Sequence, residues 1–510
     1  MQNNKLTILM KKNLLALTAC ITIIATQGCE DFILNFPGFD NTEVNDSTAV
    51  GDSIFNPDMP QNPGTPSVPE VGSEFLNHYG IAYLWDNSVI PEITVKVSLS
   101  EWNKLLEFYD EDSHTVKYIM ADFIYKKGNE IIEIKEGGLR LRGNTSRRRP
   151  EGQNGQMHTT DNTDWHHCHF GINFRKNHKD DAHEIHGIRK INLKWFKDDP
   201  CYVRELYSYD LFRRYGIWTA AFSSYCRLWI HVEGDSKPAY YGVYNMIEPI
   251  DDKFISRRGK GMFENTKGFL WKCGHNGKMA NLNPKSQADF HIDDDNGINY
   301  TYEFKGEEED YADAYAQLYD FMLKLEGKGD ESFYKWIKEV CDVEFLLKTY
   351  AVNVATGMWD DHWNNGNNFY LYFDSTHITD FKFWFIPYDY DNSLGTSNSI
   401  DPGTQDPYRW GSAGILMNRL MKFDEFKQIY KNALQELVDP NADLFHMNAS
   451  VPRIKAWQEW IAPYIDNDTE EDTRIYDEPG YWGNYNHYRL TDTGNNNFFK
   501  VKTQTINNMR

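Results

Sequence analysis

Between Gly357 and Gly395 the chain sets out an aspartate pair (Asp360, Asp361), an asparagine pair (Asn367, Asn368) and the triplet Asp389-Tyr390-Asp391. Carboxylate and amide oxygens are the donors that a hard cation such as Mg²⁺ takes together with phosphate oxygens, so Asn368 and Asp389 are candidates for the protein side of a metal–triphosphate site. A separate carboxylate is then free to orient a nucleophile. That division of labour suits phosphoryl transfer, in which catalysis is chiefly positioning and neutralisation of charge.

Plainer readings stand beside this one. Asp389 and Asp391 are also good turn formers, and Asn364 to Asn368 also reads as a polar loop. The run His166-His167-Cys168-His169 is rich in metal ligands, but no third and fourth partner can be identified, and buried histidines held by hydrogen bonds are the commoner case. Asp293-Asp294-Asp295-Asn296-Gly297 lacks the spacing of a calcium loop and reads as a solvated turn. Tyr476, Tyr481, Trp482, Tyr485 and Tyr488 read as packing aromatics rather than a sugar-stacking surface.

The elements that position these groups follow from periodicity. Alternation predicts strands over Ile93–Leu99, Val116–Tyr125, Glu130–Arg142, His167–Phe174, Lys190–Trp195, Tyr225–Val232 and Ala239–Ile247. A helix bearing Val203, Leu206 and Leu211 stops at Gly216. After Glu248 helices dominate, around Ala312–Leu325, Val343–Ala355, Phe426–Val438 and Ile454–Ile461, with one hairpin-like pair, Asn368–Phe373 and Phe381–Tyr388.

Several strings together resemble one family. They are LRLRGNTSRRRP, VRELYSYDLFRRYG, RLWIHVEG, YYGVYNMIEPIDDKFI, NNFYLYFD and FKFWFIPYDYDNSLG, and they run in order from about Ile93 to Gly395. They look like the CotH kinase family, the spore-coat-protein-H-like atypical kinases. Protein kinases share the order helix, Asp loop, Asn before a strand and Asp after the next, although the step from Asp361 to Asn368 is two residues longer and the His-Arg-Asp and Asp-Phe-Gly strings are missing.

The resemblance implies an α+β, two-lobed protein-kinase-like fold, with a β-rich N-lobe over 73–248 and a mainly helical C-lobe over 249–510. It implies Mg²⁺ and ATP as cofactors and a protein hydroxyl as acceptor. Carried over by position, Asp361 or its neighbour Asp360 is the catalytic-loop acid, and Asn368 and Asp389 hold metal with Asp391 as a second or substitute ligand. Gly143, Asn144 and Thr145 approach phosphates through backbone N–H groups, with charge from Arg142 or Arg148. Glu205 pairs with a phosphate-contacting lysine, Lys194 before Lys190, and Glu248 sits where the lobes join beside the adenine. The chain departs from the resemblance at His167-Cys168-His169-Phe170, where relatives commonly carry a lysine. A catalytically inactive structural module and a carbohydrate-binding component remain as alternatives.

The N-terminus addresses location. Lys11 and Lys12, an apolar stretch from Leu14 to Ala25, and Gly28 before Cys29 predict a lipoprotein signal peptide over 1–28, with translation starting at Met10 and acylation at Cys29. Glu30 and Asp31 resemble export signals of Bacteroidetes-type surface lipoproteins. Residues 29–72, rich in Asn, Asp, Ser, Pro and Gly, read as a disordered tether. The expected place is the outer membrane or cell surface, with membrane contact only through the lipid, and the expected partners are a nucleotide and a surface or secreted protein. A net charge of −22 argues against nucleic acid, whose backbone demands clustered Lys and Arg. Five cysteines beyond Cys29, with no Cys-x-x-Cys spacing, give no disulfide framework or zinc ribbon.

Overall fold

The computed structural model describes residues 79–259, 262–293 and 301–509, all within one compact unit. The signal peptide, Cys29 and the tether expected up to residue 72 lie outside the described residues. Among those described, no helix is long and apolar enough to cross a membrane, and the five cysteines are buried free thiols.

After a short helix α1 (Tyr79–Trp85), the first half is built from β1 (Glu92–Val97), α2 (Leu99–Glu111), β2 (Ile119–Lys127), β3 (Glu130–Arg142), β4 (His169–Asn173), β5 (Lys190–Lys194), α3 (Arg204–Arg214), β6 (Ser223–Val232) and β7 (Ala239–Ile247). The seven strands close into a barrel in the order β1-β2-β3-β4-β5-β7-β6. Every neighbouring pair is antiparallel except the one that closes the ring, where Glu92 to Val97 run parallel to Arg227 to Val232. Alternation makes this possible: in β2 every second residue is buried, and Val95, Phe123, Leu141, Phe170, Leu193 and Leu228 fill the interior. Ser98 caps α2 by accepting from Glu101 N at 3.2 Å, and Trp102, Leu105 and Leu106 bury its inner face.

The second half contains α4 (Asp252–Arg257), β8 (Phe269–Cys273), β9 (Phe290–Ile292), β10 (Tyr302–Phe304), α5 (Tyr311–Gly327), α6 (Asp330–Val340), α7 (Val343–Thr356), β11 (Phe369–Phe373), β12 (Phe383–Pro387), α8 (Ile415–Leu420), α9 (Asp424–Leu437), α10 (Met447–Ile461) and α11 (Phe498–Asn507). The expected hairpin β11–β12 is one side of a five-stranded sheet ordered β12-β11-β8-β10-β9. A second apolar core joins this sheet to the helices through Trp271, Phe304, Phe321, Trp363 and Phe373. α3 precedes β6 in sequence, yet its Leu206, Tyr207, Leu211 and Phe212 belong to that second core, and it packs on α7.

The expected two-lobed protein-kinase-like fold is therefore corrected to a closed seven-stranded barrel with a second sheet and helices. The parallel pairing of β1 with β6 turns what alternation presents as an open β-rich lobe into a barrel, and alternation carries no signal for a partner so distant in the chain. The second half departs from "mainly helical" because β8 and β10 are buried on both faces and so show no period of two.

Candidate functional site

The helix α7 ends at Gly357, whose φ of 72° is a left-handed turn that glycine adopts freely. The two aspartates that follow then part company. Asp361 is buried: Asn364 N donates to its Oδ1 at 2.8 Å and Asn353 Nδ2, from α7, donates to its Oδ2 at 2.5 Å. Asn353 in turn accepts from the hydroxyl of buried Tyr390 at 2.7 Å. Asp361 thus ties the loop to the helix and to the segment after β12, and burial pushes its carboxyl up to about 8.

Asp360 faces the other way, into a cavity of about 830 Å³. Its carboxylate accepts from Asn365 Nδ2 at 2.6 Å, Asn367 Nδ2 at 3.0 Å and Asn368 Nδ2 at 3.0 Å, which fixes the asparagine run as a rack around it. Burial raises its pKa, against the lowering effect of the Asn365 and Asn367 hydrogen bonds. Asn368 and Asp389 both have positive φ, 57° and 62°, so each is turned out of the regular strand next to it.

Across the cavity, Lys194 at the end of β5 extends its ammonium among three carboxylates. Nζ lies 2.8 Å from Glu205 Oε2 and 3.3 Å from Asp391 Oδ2, and it also donates to Asp389. Burial pulls the Lys194 pKa down, but the three acids outweigh it and hold the group well above its ordinary value. For Asp389 the balance falls on the charged side, because Lys194 and then Arg142 outweigh burial. Asp391 is pushed well up by burial and by the Asp389 charge, in spite of Lys194. Glu205 is also raised, by burial and the Asp389 charge in spite of Lys194, so of the three acids around the ammonium only Asp389 is held on the charged side.

The rim above is cationic. Gly143, at φ 107°, begins the loop after β3; a Cβ there would lie 2.6 Å from Ser146 Oγ, so the tight turn needs glycine. Arg142 Nη2 donates to Tyr388 Oη at 3.2 Å, and Arg147 Nε donates to Gly143 O at 2.8 Å. Burial and the neighbouring Arg140 and Arg142 charges pull the Arg147 guanidinium down to about 10. Eight Lys or Arg and eight Asp or Glu line the cavity, in a chain with 53 of the first and 75 of the second, so this wall is enriched in cations where the molecule as a whole is acidic. Crowded guanidinium groups favour an anion between them.

Of the residues picked from sequence, Arg142, Gly143, Asn144, Thr145, Lys190, Lys194, Asp360, Asn368, Asp389 and Asp391 line this one cavity. Glu205 reaches it only through Lys194, while Asp361 sits behind it. Arg148 points elsewhere, making a bidentate pair with Glu471 at 3.0 and 2.8 Å. Glu248 is fully buried between Arg257 (2.8 Å) and Arg258 (2.7 Å). The histidine tetrad is consumed by structure: His167 Nε2 lies 2.7 Å from Tyr241 O, and His169 Nδ1 accepts from Trp195 N at 3.1 Å.

Sequence reasoning missed Arg140, Arg147, Lys272, Lys305 and Trp482 on the cavity wall. Lys272, on β8, pairs with Glu303 on β10 at 3.3 Å, and neither strand has a readable period. Arg147 stands inside the Arg147-Arg148-Arg149 run, where only the backbone path decides which of the three faces inward. Of the C-terminal aromatics expected to pack, Tyr488 is buried but Tyr476, Tyr481, Trp482 and Tyr485 are exposed, Tyr481 by 77%.

All the protein oxygens that converge here are hard donors, and the cavity is large enough for a nucleotide, so the residues present fit Mg²⁺ held with a polyphosphate. The profile of the family described as CotH kinase protein matches residues 139–491, a span that contains every one of these side chains. Spore coat protein homolog 1 of Rhizopus delemar is 22% identical over 405 residues, covering 74% of this chain and 55% of the relative. Inner spore coat protein H of Bacillus subtilis is 25% identical over 282 residues, covering 55% of this chain and 69% of the relative. The chain thus spans about half the length of the Rhizopus relative.

Proposed function

Because this chain belongs to the CotH kinase protein family, we propose that its cavity binds Mg²⁺–ATP and transfers the terminal phosphoryl group to a hydroxyl of a protein substrate. The observation that carries the reading is the convergence of Asp360, Asn368, Asp389, Asp391 and Lys194 on one cavity beneath a cationic rim. The β11–β12 hairpin brings Asn368 beside Asp389, and the approach of Lys194 from β5 of the barrel is the part of this meeting that a solvated turn or a strand cap does not require.

Each group has a part set by its surroundings. Asp389 and Asp391, with the side-chain oxygen of Asn368, would hold the metal, which when bound neutralises phosphate charge. Lys194 is kept charged by Asp389, Asp391 and Glu205 and is anchored on its helix side by Glu205, where it can also contact phosphate oxygens. The backbone at Gly143 to Thr145 and the guanidinium groups of Arg142 and Arg147 would orient the polyphosphate. Asp360, held by three asparagine amides and raised in pKa by burial, accepts the proton of the incoming hydroxyl. Asp361 is a positioning residue, which fixes the loop that presents Asp360.

The place of action proposed is outside the cytoplasm, in keeping with the spore coat names of the two relatives, with the chain held at the outer membrane or cell surface by a lipid on Cys29. The test is a transfer assay with γ-labelled ATP, Mg²⁺ and the full-length chain, using its own hydroxyls and those of co-occurring surface proteins as acceptors. Label incorporated by the wild type and lost in Asp360→Asn and in Asp389→Asn supports the reading. Equal labelling in wild type and both variants contradicts it.

A further inference from the structure

Outside the cavity lining, the connection between β4 and β5 folds back over the bend of β3. There the imidazoles of His178 and His183 lie face to face, ring centres 3.6 Å apart and planes 10° from parallel. Asp180 caps the turn Asp181–His183 by accepting from Ala182 N at 3.1 Å, and its Oδ1 is also 2.6 Å from His183 Nδ1. His178 Nε2 is shielded from solvent and has no hydrogen-bond partner among the described residues, and Glu136 Oε2 lies 3.5 Å from it. Glu136 is held at the bend with φ 52°, and Asn177 Nδ2 donates to its carbonyl at 2.9 Å.

One ligand atom from each of His178, Asp180 and His183 falls within 4.8 Å of the others. The competing acids are already engaged, since Arg175 takes Glu184 at 2.5 Å and Asp181 at 3.5 Å, which leaves Asp180 and Glu136 to the imidazoles. Two imidazoles and two carboxylates form a borderline nitrogen–oxygen donor set, the kind that Zn²⁺ binds in four-coordinate geometry. Zinc bonds of about 2.0–2.2 Å place tetrahedral donors about 3.4 Å apart, so closing the cluster needs rotation of side chains at the surface rather than movement of backbone.

We propose that His178, Asp180 and His183, with Glu136 as the fourth ligand, form a zinc site that pins the β4–β5 connection to the bend of β3. None of the four residues lines the cavity described above, which takes His169, Gly171 and Ile172 from β4. The spacing His-x-Asp-x-x-His is the sequence trace of the site, while Glu136 enters only through the fold.

The experiment is equilibrium dialysis of the chelator-stripped full-length chain against zinc, with Co²⁺ as a spectroscopic probe. The wild type is expected to retain about one zinc ion per chain and to give the visible absorption of four-coordinate cobalt. His178→Ala/His183→Ala loses both signals, Asp180→Asn weakens binding roughly tenfold, and Asp389→Asn leaves them intact. Asp180 and Glu136 are exposed while both imidazoles are half-buried, so the double variant is compared with itself: zinc raises the melting temperature of the stripped wild type and leaves that of the stripped double variant where it stands. Zinc uptake unchanged in the double variant, uptake abolished by Asp389→Asn, or cobalt that keeps its octahedral aqueous spectrum overturns the proposal.

Discussion

Lys194 Nζ lies 2.8 Å from the Glu205 carboxylate, a contact that joins the last residue of β5 to the first turn of α3. The same ammonium serves Asp389 and Asp391, so a single lysine ties barrel, helix and the segment after β12 together. Replacing Lys194 with Met leaves three carboxylates facing one another without a cation. The expected cost is about 2 kcal/mol, less than the roughly 3–5 of a fully buried pair because Asp389 and Asp391 are over a third exposed. Mg²⁺ alone should stabilise Lys194→Met more than the wild type, since the variant's acids have lost their resident cation. Denaturant unfolding with and without Mg²⁺ measures this, and equal Mg²⁺ responses would argue against a metal at these acids.

The neighbours Asp360 and Asp361 separate chemistry from folding. Asp360→Asn removes the proton acceptor, so phosphoryl transfer should fall by roughly 10²–10⁴-fold in protein that stays folded, with a lower melting temperature because the new amide meets asparagine Nδ2 donors. Asp361→Asn puts an amide against Asn353 Nδ2 and should cost about 1–3 kcal/mol of stability. Kinetics and calorimetry on the two variants test the split. Loss of turnover in a fully stable Asp361→Asn would reverse the assignment.

The Asp361 carboxyl, pushed up to about 8 by burial, also sets a pH dependence. Unfolded, it loses its proton near pH 4, so between about 4 and 8 the native state binds more protons than the unfolded one and stability falls as pH rises. Asp391 and Asp360 are shifted the same way and Asp389 the opposite way, so the difference between wild type and Asp361→Asn isolates this group. The variant should be most costly near pH 5 and least costly near pH 8. A cost that grows with pH over that window would contradict the assignment.

Glu248 shows how a residue can be well placed in the chain and still not meet a ligand. It is enclosed by Arg257 and Arg258, whose charges outweigh burial and hold its pKa down. Glu248→Gln should lower stability by roughly 3–5 kcal/mol, as broken buried pairs do, while the remaining folded protein keeps its response to nucleotide. Unchanged stability with lost nucleotide binding would place Glu248 in the site instead.

Much of the site was legible in the sequence because its residues stand at element ends. Lys194 closes β5, and Asn368 and Asp389 flank β11 and β12, whose apolar and aromatic runs between polar loops mark them as strands although β11 is buried at every position. The strand Ala239–Ile247 lies just where alternation puts it. What escaped had no period: β8 and β10 are buried on both faces, and the helix α6 fell outside the helices expected. Closure of the barrel escaped for a different reason, since the β1–β6 pairing joins Glu92 to Arg227 and leaves no local mark. The choice between Asp360 and Asp361 needed the loop's hydrogen bonds, which adjacent identical residues cannot reveal.

The most direct test of the central claim is the melting temperature of the full-length chain with and without Mg²⁺–ATP, repeated for Asp389→Asn. A ligand that binds only the native state at 100 times its Kd adds about 2.7 kcal/mol, enough to move the transition visibly. The account predicts a rise in the wild type that requires both Mg²⁺ and ATP and disappears in Asp389→Asn. No rise at millimolar nucleotide, or the same rise in the variant, would contradict a metal–nucleotide site at Asp389.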